Sequence, residues 1–295
     1  MAVSIRPLTP GFAGEVDGID IRRPLTPDQV AAVEAGMDQF AVLVFHDQPI
    51  TDEQQVAFSR NFGDIELSEA SNITSAGQRR LSNQLADISN LDRDNKLLAR
   101  DDRRRMFNLG NQLWHSDSAF RATPAKYSLL SARTIPSTGG NTEFADMRAA
   151  YDALDDETRN EIKDLICEHS LLYSRGLLGF TEFTPEERQM FTPVQQMLVR
   201  THPVTGRKSL FLASHAGTIV GWPMPEARAF LRDLTEHATQ RHFVYAHQWR
   251  VNDLVMWDNR QTMHRARRYR ETQEVRDMRR TTIAGDQPTV QVKAA

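Results

Sequence analysis

The chain has 295 residues, 40% of them hydrophobic and 25% charged, with 36 Lys and Arg against 39 Asp and Glu for a net charge of −3. That balance supplies no overall basic field for nucleic acid, and no apolar run reaches membrane-spanning length. The single cysteine, Cys167, excludes an intrachain disulfide, and the first residues lack the apolar core of a secretory leader, so a cytoplasmic protein is expected.

The length suits one large domain with a substantial core. Thr26-Pro27-Asp28-Gln29 opens a helix, because Thr26 can cap it, Pro27 suits its first position and Gln29 completes a capping box. Val30, Val33 and Met37 follow at helical spacing. Gly14 to Leu25 reads as strand and turn, and Ala41 to Phe45 as a buried strand. Thr51-Asp52-Glu53-Gln54 is a second capping box, whose helix runs to Phe62 and stops at Gly63. Residues 64–110 are dense in charge of both signs. They read as a solvated loop or, more pointedly, as a mobile flap over a site.

Asn111-Gln112-Leu113-Trp114-His115-Ser116-Asp117-Ser118 sets an imidazole and a carboxylate two residues apart. In an extended segment, positions i and i+2 project to one face, so His115 and Asp117 could grip a metal ion together. His-x-Asp is common by chance, and a surface histidine beside a turn aspartate is the plainer alternative. A third ligand must come from far along the chain, and His264 offers one. Two imidazoles and one carboxylate on one face of an octahedron leave positions open, as in non-heme Fe(II) oxygenases.

Strands follow at Tyr127 to Arg133 and Thr142 to Ala145, joined through the Gly139-Gly140 turn. Helices are expected at Met147 to Leu154, Glu157 to Cys167, after the Thr184 cap, and Pro225 to Thr239. Cys167 reads as a packing residue rather than a nucleophile. Phe243 to Trp249 and Leu254 to Trp257 read as adjacent strands joined by the turn Val251-Asn252-Asp253. Short strands, turns and inserted helices together favour an antiparallel double sheet with peripheral helices: an α+β jelly-roll domain spanning 1–295.

In the strand Arg276 to Ile283, Arg276 and Arg280 share one face. Two inward guanidiniums are costly unless anions meet them, so they predict carboxylate-bearing small molecules beside the metal. A charge-blunted edge strand is the alternative.

Together these residues resemble the taurine/2,4-dichlorophenoxyacetate dioxygenase family of Fe(II)- and 2-oxoglutarate-dependent oxygenases. The family's pieces stand in order: Trp114-His115-Ser116-Asp117, Thr142 after the Gly-Gly turn, Trp257-Asp258-Asn259-Arg260 with His264 beyond it, and Arg276 with Arg280 four residues on. Phe45 to Thr51 and Phe62-Gly63 are similar to the family's opening, and only 64–110 fall outside the likeness. Asn111 to Ser118, Asp146 to Leu154 and His237 to Arg241 resemble the 2,4-dichlorophenoxyacetate branch most closely.

The resemblance implies a double-stranded β-helix core that uses Fe(II), 2-oxoglutarate and O2. It implies His115, Asp117 and His264 as iron ligands, and Arg276 with Thr142 on the far carboxylate of 2-oxoglutarate. Arg280 would take the substrate carboxylate. His202 and His215 would contact the substrate, and Trp114 and Trp257 would wall its pocket; each could instead be structural, which is the preferred reading for Trp257 and the expectation for His169 and His247. Asn111 would orient a ligand or serve a turn. No catalytic side chain is implied beyond the iron centre. The implied reaction hydroxylates the ether-bearing carbon of an aryloxyalkanoic acid in herbicide and aromatic catabolism. The product falls apart to a phenol and glyoxylate. A homo-oligomer without nucleic-acid or membrane partners is expected. A taurine or alkylsulfonate dioxygenase is the nearest rival, and a metal-free binding module a distant one. A zinc hydrolase is disfavoured because His115 lacks a His-x-x-x-His partner.

Overall fold

The computed structural model describes residues 3–68 and 73–290. Thr26 accepts the Gln29 backbone N–H, and the Gln29 side chain accepts the Thr26 N–H, so the expected capping box starts the helix Pro27–Phe40. The Thr51 and Thr184 boxes form in the same way. The first helix ends on Ala41, a left-handed residue at φ 63° whose N–H reaches Met37. Ala41 is therefore a helix cap rather than the first residue of the strand, which spans Val42–Phe45. The second helix spans Asp52–Ser59 and tightens to a 3-10 turn, Arg60–Phe62, before Gly63.

The largest sheet contains β1 (Ser4–Thr9), β2 (Ala13–Asp17), β3 (Val42–Phe45), β4 (Ala86–Asp87), β5 (Tyr127–Thr134), β13 (Leu254–Asp258) and β15 (Asp277–Thr282). Its spatial order is β1-β2-β3-β13-β5-β15-β4, and its pairs are antiparallel except β2 with β3. A second sheet runs β12-β6-β14, from β6 (Thr142–Asp146), β12 (Val244–His247) and β14 (Thr262–Ala266). Smaller sheets join β7 (Ile166–His169), β8 (Val194–Met197) and β11 (Ala216–Ile219), and β9 (Val199–Thr201) with β10 (Lys208–Leu210). The architecture is thus mixed α and β. Among the described residues no helix is long and apolar enough to cross a membrane.

Alternation along the strands separates two cores. Leu43, Phe45, Leu129 and Met256 pack on Val33, Met37 and Phe40 of the first helix. Val42, Val44, Leu130, Val255 and Trp257 turn the other way, toward Phe144 of β6. These strands are covered on both faces, which is why they read as unbroken apolar runs. The Phe144 and Trp257 rings, 5.4 Å apart, join the two main sheets face to face.

Three expectations need correction. β12 and β13 are not paired neighbours: β12 pairs with β6, and β13 lies between β3 and β5. The turn 251–253 carries the chain from one sheet to the other, pinned by Asp253, which accepts from the Arg250 N–H and contacts His46 and His247. The helix expected to reach Cys167 ends at Ile162, and Cys167 is buried in β7. Four residues satisfy a period of two as readily as a helical one, so pairing decided the outcome.

The third concerns 64–110, of which 69–72 lie outside the described residues. The rest is not a free solvated loop. β4 adds to the edge of β15, and the helix Arg103–Asn108 buries Phe107 among Leu171, Phe180, Phe183 and Phe191. Its charges are matched across the fold: Arg80 to Asp87 and Asp277, Arg103 to Glu187, and Arg105 to Glu271.

Candidate metal centre and its cavity

Two distant pieces of chain meet in an isolated antiparallel bridge between His115 and His264. Each backbone N–H donates to the other's carbonyl, at 3.0 and 2.8 Å. The hydroxyl of Ser116 adds a bond to the Thr262 carbonyl at 2.7 Å. His264 is held in β14 by pairing opposite Phe144, and its ring lies 4.6 Å from that of Trp257.

The result places one ligand atom each from His115, Asp117 and His264 within 4.8 Å of one another, all buried. Nε2 of His115 lies 3.9 Å from one Asp117 oxygen, and Nε2 of His264 lies 3.8 Å from the other. Nδ1 of His115 is 2.7 Å from the Leu113 carbonyl. A proton there leaves the Nε2 lone pair free, as metal ligation requires. Burial lowers the pKa of both imidazoles, so they are neutral. Burial is the largest influence on the Asp117 carboxyl and pushes its pKa up, but Arg280, the two neighbouring imidazoles and the Ser128 hydroxyl together bring it below the usual carboxylate value, so the group is ionised.

Asp117 is oriented from behind. The Ser128 hydroxyl donates to Oδ2 at 2.7 Å, and the Asn259 amide donates to Ser128 at 2.9 Å. Asn259 also accepts from the Asp117 N–H and from the Trp257 indole. Arg280 closes the other side, with Nη1 2.6 Å from Oδ1.

A cavity beside the trio is lined by His115, Thr142, Trp257, His264, Arg276, Arg280 and Asn111. Arg276 is buried, yet among the described residues its guanidinium has no hydrogen bond or ion pair; only its backbone is bonded, with the N–H donating to the Asn90 side chain and the carbonyl accepting from the Asn90 N–H. Burial pulls its pKa down to about 10, which still leaves it cationic at neutral pH. The Thr142 oxygen accepts from the Trp249 indole at 3.0 Å, so its own hydrogen remains to be donated. A second, adjoining lobe that shares His115, Asn111 and Arg280 with the first is lined also by Asp117, His215, Phe120 and Arg175.

The structure therefore brings His115, Asp117, His264, Thr142, Arg276, Arg280, His215 and Asn111 together, and leaves two expected residues out. His202 is buried elsewhere: its Nε2 meets Asp258 at 3.2 Å, and its Nδ1 accepts from the Thr205 N–H. With both nitrogens engaged it locks the Asp258–Arg260 corner, a structural role. Trp114 lines a separate cleft with Leu212 and Leu231, and its ring is covered by Arg265 at 4.4 Å. The tryptophan that walls the cavity is Trp257, whose place in the strand alternation turns it toward His264. Ser128 and Asn259 escaped sequence reasoning, although Asn259 stood inside a quoted motif. Arg175 carried no signal, because it sits on the short helix Leu171–Gly176.

Comparison with known proteins agrees with this geometry. The family described as "Taurine catabolism dioxygenase TauD, TfdA family" matches residues 4–282. The chain is 48% identical to an alpha-ketoglutarate-dependent 2,4-dichlorophenoxyacetate dioxygenase of Cupriavidus pinatubonensis, over 97% of this chain and 99% of the relative. It is 38% identical to an (S)-phenoxypropionate/alpha-ketoglutarate-dioxygenase of Sphingobium herbicidovorans, over 97% and 96% respectively. The solved structure of AAD-2 in complex with Mn(II) and N-oxalylglycine superposes with a TM-score of 0.96, at 63% identity, covering 98% of this chain and 100% of that one.

Proposed function

The chain belongs to the taurine catabolism dioxygenase (TauD/TfdA) family, and on that premise we propose that it is an Fe(II)- and 2-oxoglutarate-dependent dioxygenase acting on aryloxyalkanoic acids such as 2,4-dichlorophenoxyacetate. The observation that carries this reading is the pairing of a compact His-Asp-His trio with a buried, anion-free guanidinium on one cavity. Two neutral imidazoles and a carboxylate are the donor set that Fe(II) takes in such oxygenases.

His115, Asp117 and His264 would hold the iron. Arg276 would pair with the far carboxylate of 2-oxoglutarate, and Thr142 would donate its free hydrogen to the same group. Together the bound metal, 2-oxoglutarate and O2 supply the oxidation of one C–H bond, with succinate and CO2 as by-products. The chain's own part is aim and exclusion of water. Arg280, at the junction of the two lobes, would hold the substrate carboxylate beside the metal ligands, and His215 would face the substrate. Hydroxylation of the ether-bearing carbon gives a hemiacetal, which collapses to a phenol and glyoxylate. The taurine alternative has weaker support, since a taurine dioxygenase structure from Burkholderia xenovorans shares 30% identity and a TM-score of 0.78.

A double-stranded β-helix core, one domain over 1–295, and a cover within 64–110 that opens for substrate belong to the same proposal. So do a cytoplasmic location and a homo-oligomeric state. The face-to-face sheets and β4 on the edge of β15 support the first parts; sedimentation tests the assembly.

The test is anaerobic addition of Fe(II) and 2-oxoglutarate, followed by succinate assay with 2,4-dichlorophenoxyacetate in air. A weak visible charge-transfer band and acid-dependent succinate release are expected. Absence of the band would leave the metal-free binding module as the better account.

A further inference from the structure

We propose that Arg175 is a second anion-binding residue of this site and grips the carboxylate of the organic substrate from the adjoining lobe, which Arg276 does not line. This rests on the dioxygenase reading above and adds a residue to it. Arg175 is buried, and among the described residues no carboxylate reaches it; its side chain makes a single, long bond there, from Nη1 to the Ser174 hydroxyl at 3.3 Å. Its Nε has no partner. The same Ser174 oxygen lies 2.9 Å from Nδ1 of His215, so the two cavity-lining groups share one anchor.

The guanidinium is seated deliberately. Its Cζ lies 4.5 Å from the centroid of the Phe107 ring, and the group passes close to Gly110. A methyl group at Gly110 would stand 2.2 Å from Cζ and Nη1 of Arg175, so only glycine leaves room for the guanidinium there. A planar cation held over an aromatic ring keeps its in-plane N–H groups for a carboxylate. Arg280, on the same lobe, is already engaged with Asp117 at 2.6 Å. Arg175 is thus the guanidinium of that lobe that no carboxylate meets among the described residues, as Arg276 is of the other. The substrate carboxylate would lie between Arg175 and Arg280, near the metal ligands, with 2-oxoglutarate kept to the Arg276 side.

The anaerobic Fe(II)/2-oxoglutarate complex should be titrated with 2,4-dichlorophenoxyacetate, following the change in its visible band, for wild type, Arg175→Gln, Arg175→Lys and Gly110→Ala. Loss of a charge-assisted contact predicts substrate binding weakened roughly tenfold or more in Arg175→Gln, with partial recovery in Arg175→Lys. Gly110→Ala keeps the charge but dislodges it, and should weaken binding in the same direction. The 2-oxoglutarate requirement should stay within about twofold of wild type, because a lost contact affects only the ligand that made it. Should Arg175→Gln not fold, Gly110→Ala and Arg175→Lys decide. Unchanged substrate affinity, or an equal loss for substrate and 2-oxoglutarate, would overturn the assignment. If the wild type binds taurine and not the aryloxy acid, the substrate reading fails alone, and the same variants are then read with taurine. Binding of neither anion would overturn the subsite as well.

Discussion

The Ser128 hydroxyl donates to Oδ2 of Asp117 over 2.7 Å, and both groups are fully buried. This bond fixes which carboxylate face turns toward His115 and His264. Asn259, which donates to Ser128, carries the constraint back to the corner after β13. Ser128→Ala should therefore weaken Fe(II) binding by about tenfold while leaving the fold intact. Iron titration of the anaerobic 2-oxoglutarate complex measures this; an unchanged midpoint would show that Asp117 needs no support from β5.

Arg276 is a buried cation with no counter-charge among the described residues. Arg276→Leu should raise the 2-oxoglutarate requirement by roughly tenfold or more. It should also raise the melting temperature of the protein free of iron and 2-oxoglutarate, because an unpaired buried charge is costly to the fold. Kinetics and thermal melts on one sample check both. An unmoved requirement would assign the carboxylate to another residue.

His115→Ala should abolish succinate formation, whereas His202→Ala should not alter the substrate KM. The second change removes a buried partner of Asp258 and should cost about 1–3 kcal/mol of stability. A raised substrate KM with unchanged stability would return His202 to the substrate site. Normal turnover by His115→Ala would remove it from the metal.

His169 is buried in β7 against Phe211, and both ring nitrogens lack partners among the described residues. Burial alone pushes its pKa down to about 3, from an ordinary 6.5. Below pH 6.5 the unfolded chain takes up this proton and the folded chain does not, so stability falls as pH drops from 6.5 toward 3. The slope is at most about 1.4 kcal/mol per pH unit from this one group. His169→Phe, which keeps the ring contact and removes the titration, should lose less melting temperature than wild type between pH 7 and pH 5. Parallel losses would place the acid sensitivity elsewhere.

Much was legible from the residues themselves. The three Thr-capped helix starts form as read, because a capping box is settled by four consecutive residues. The β3 and β13 strands were visible because burial on both faces makes every position apolar. His115 and Asp117 were legible as a pair, since two residues of extended chain suffice to bring them to one side. Arg276 and Arg280 were legible as a pair of cations and line one cavity, although β15 begins only at Asp277 and its register shifts between Asp277 and Met278, so strand alternation is not what aligns them.

What lay outside the sequence was anything set by long-range pairing. The sequence alone determined which side chains could bind a metal and two carboxylates. The tertiary structure decided that His264 meets His115 through a reciprocal backbone bridge, and that Trp257 rather than Trp114 faces the cavity. It decided that His202 is spent on Asp258 and that Arg175 arrives beside the metal ligands from a short, unremarked helix. Local geometry is written in neighbouring residues, whereas which strand pairs with which, and therefore which way a distant side chain points, follows from how the sheets close on one another.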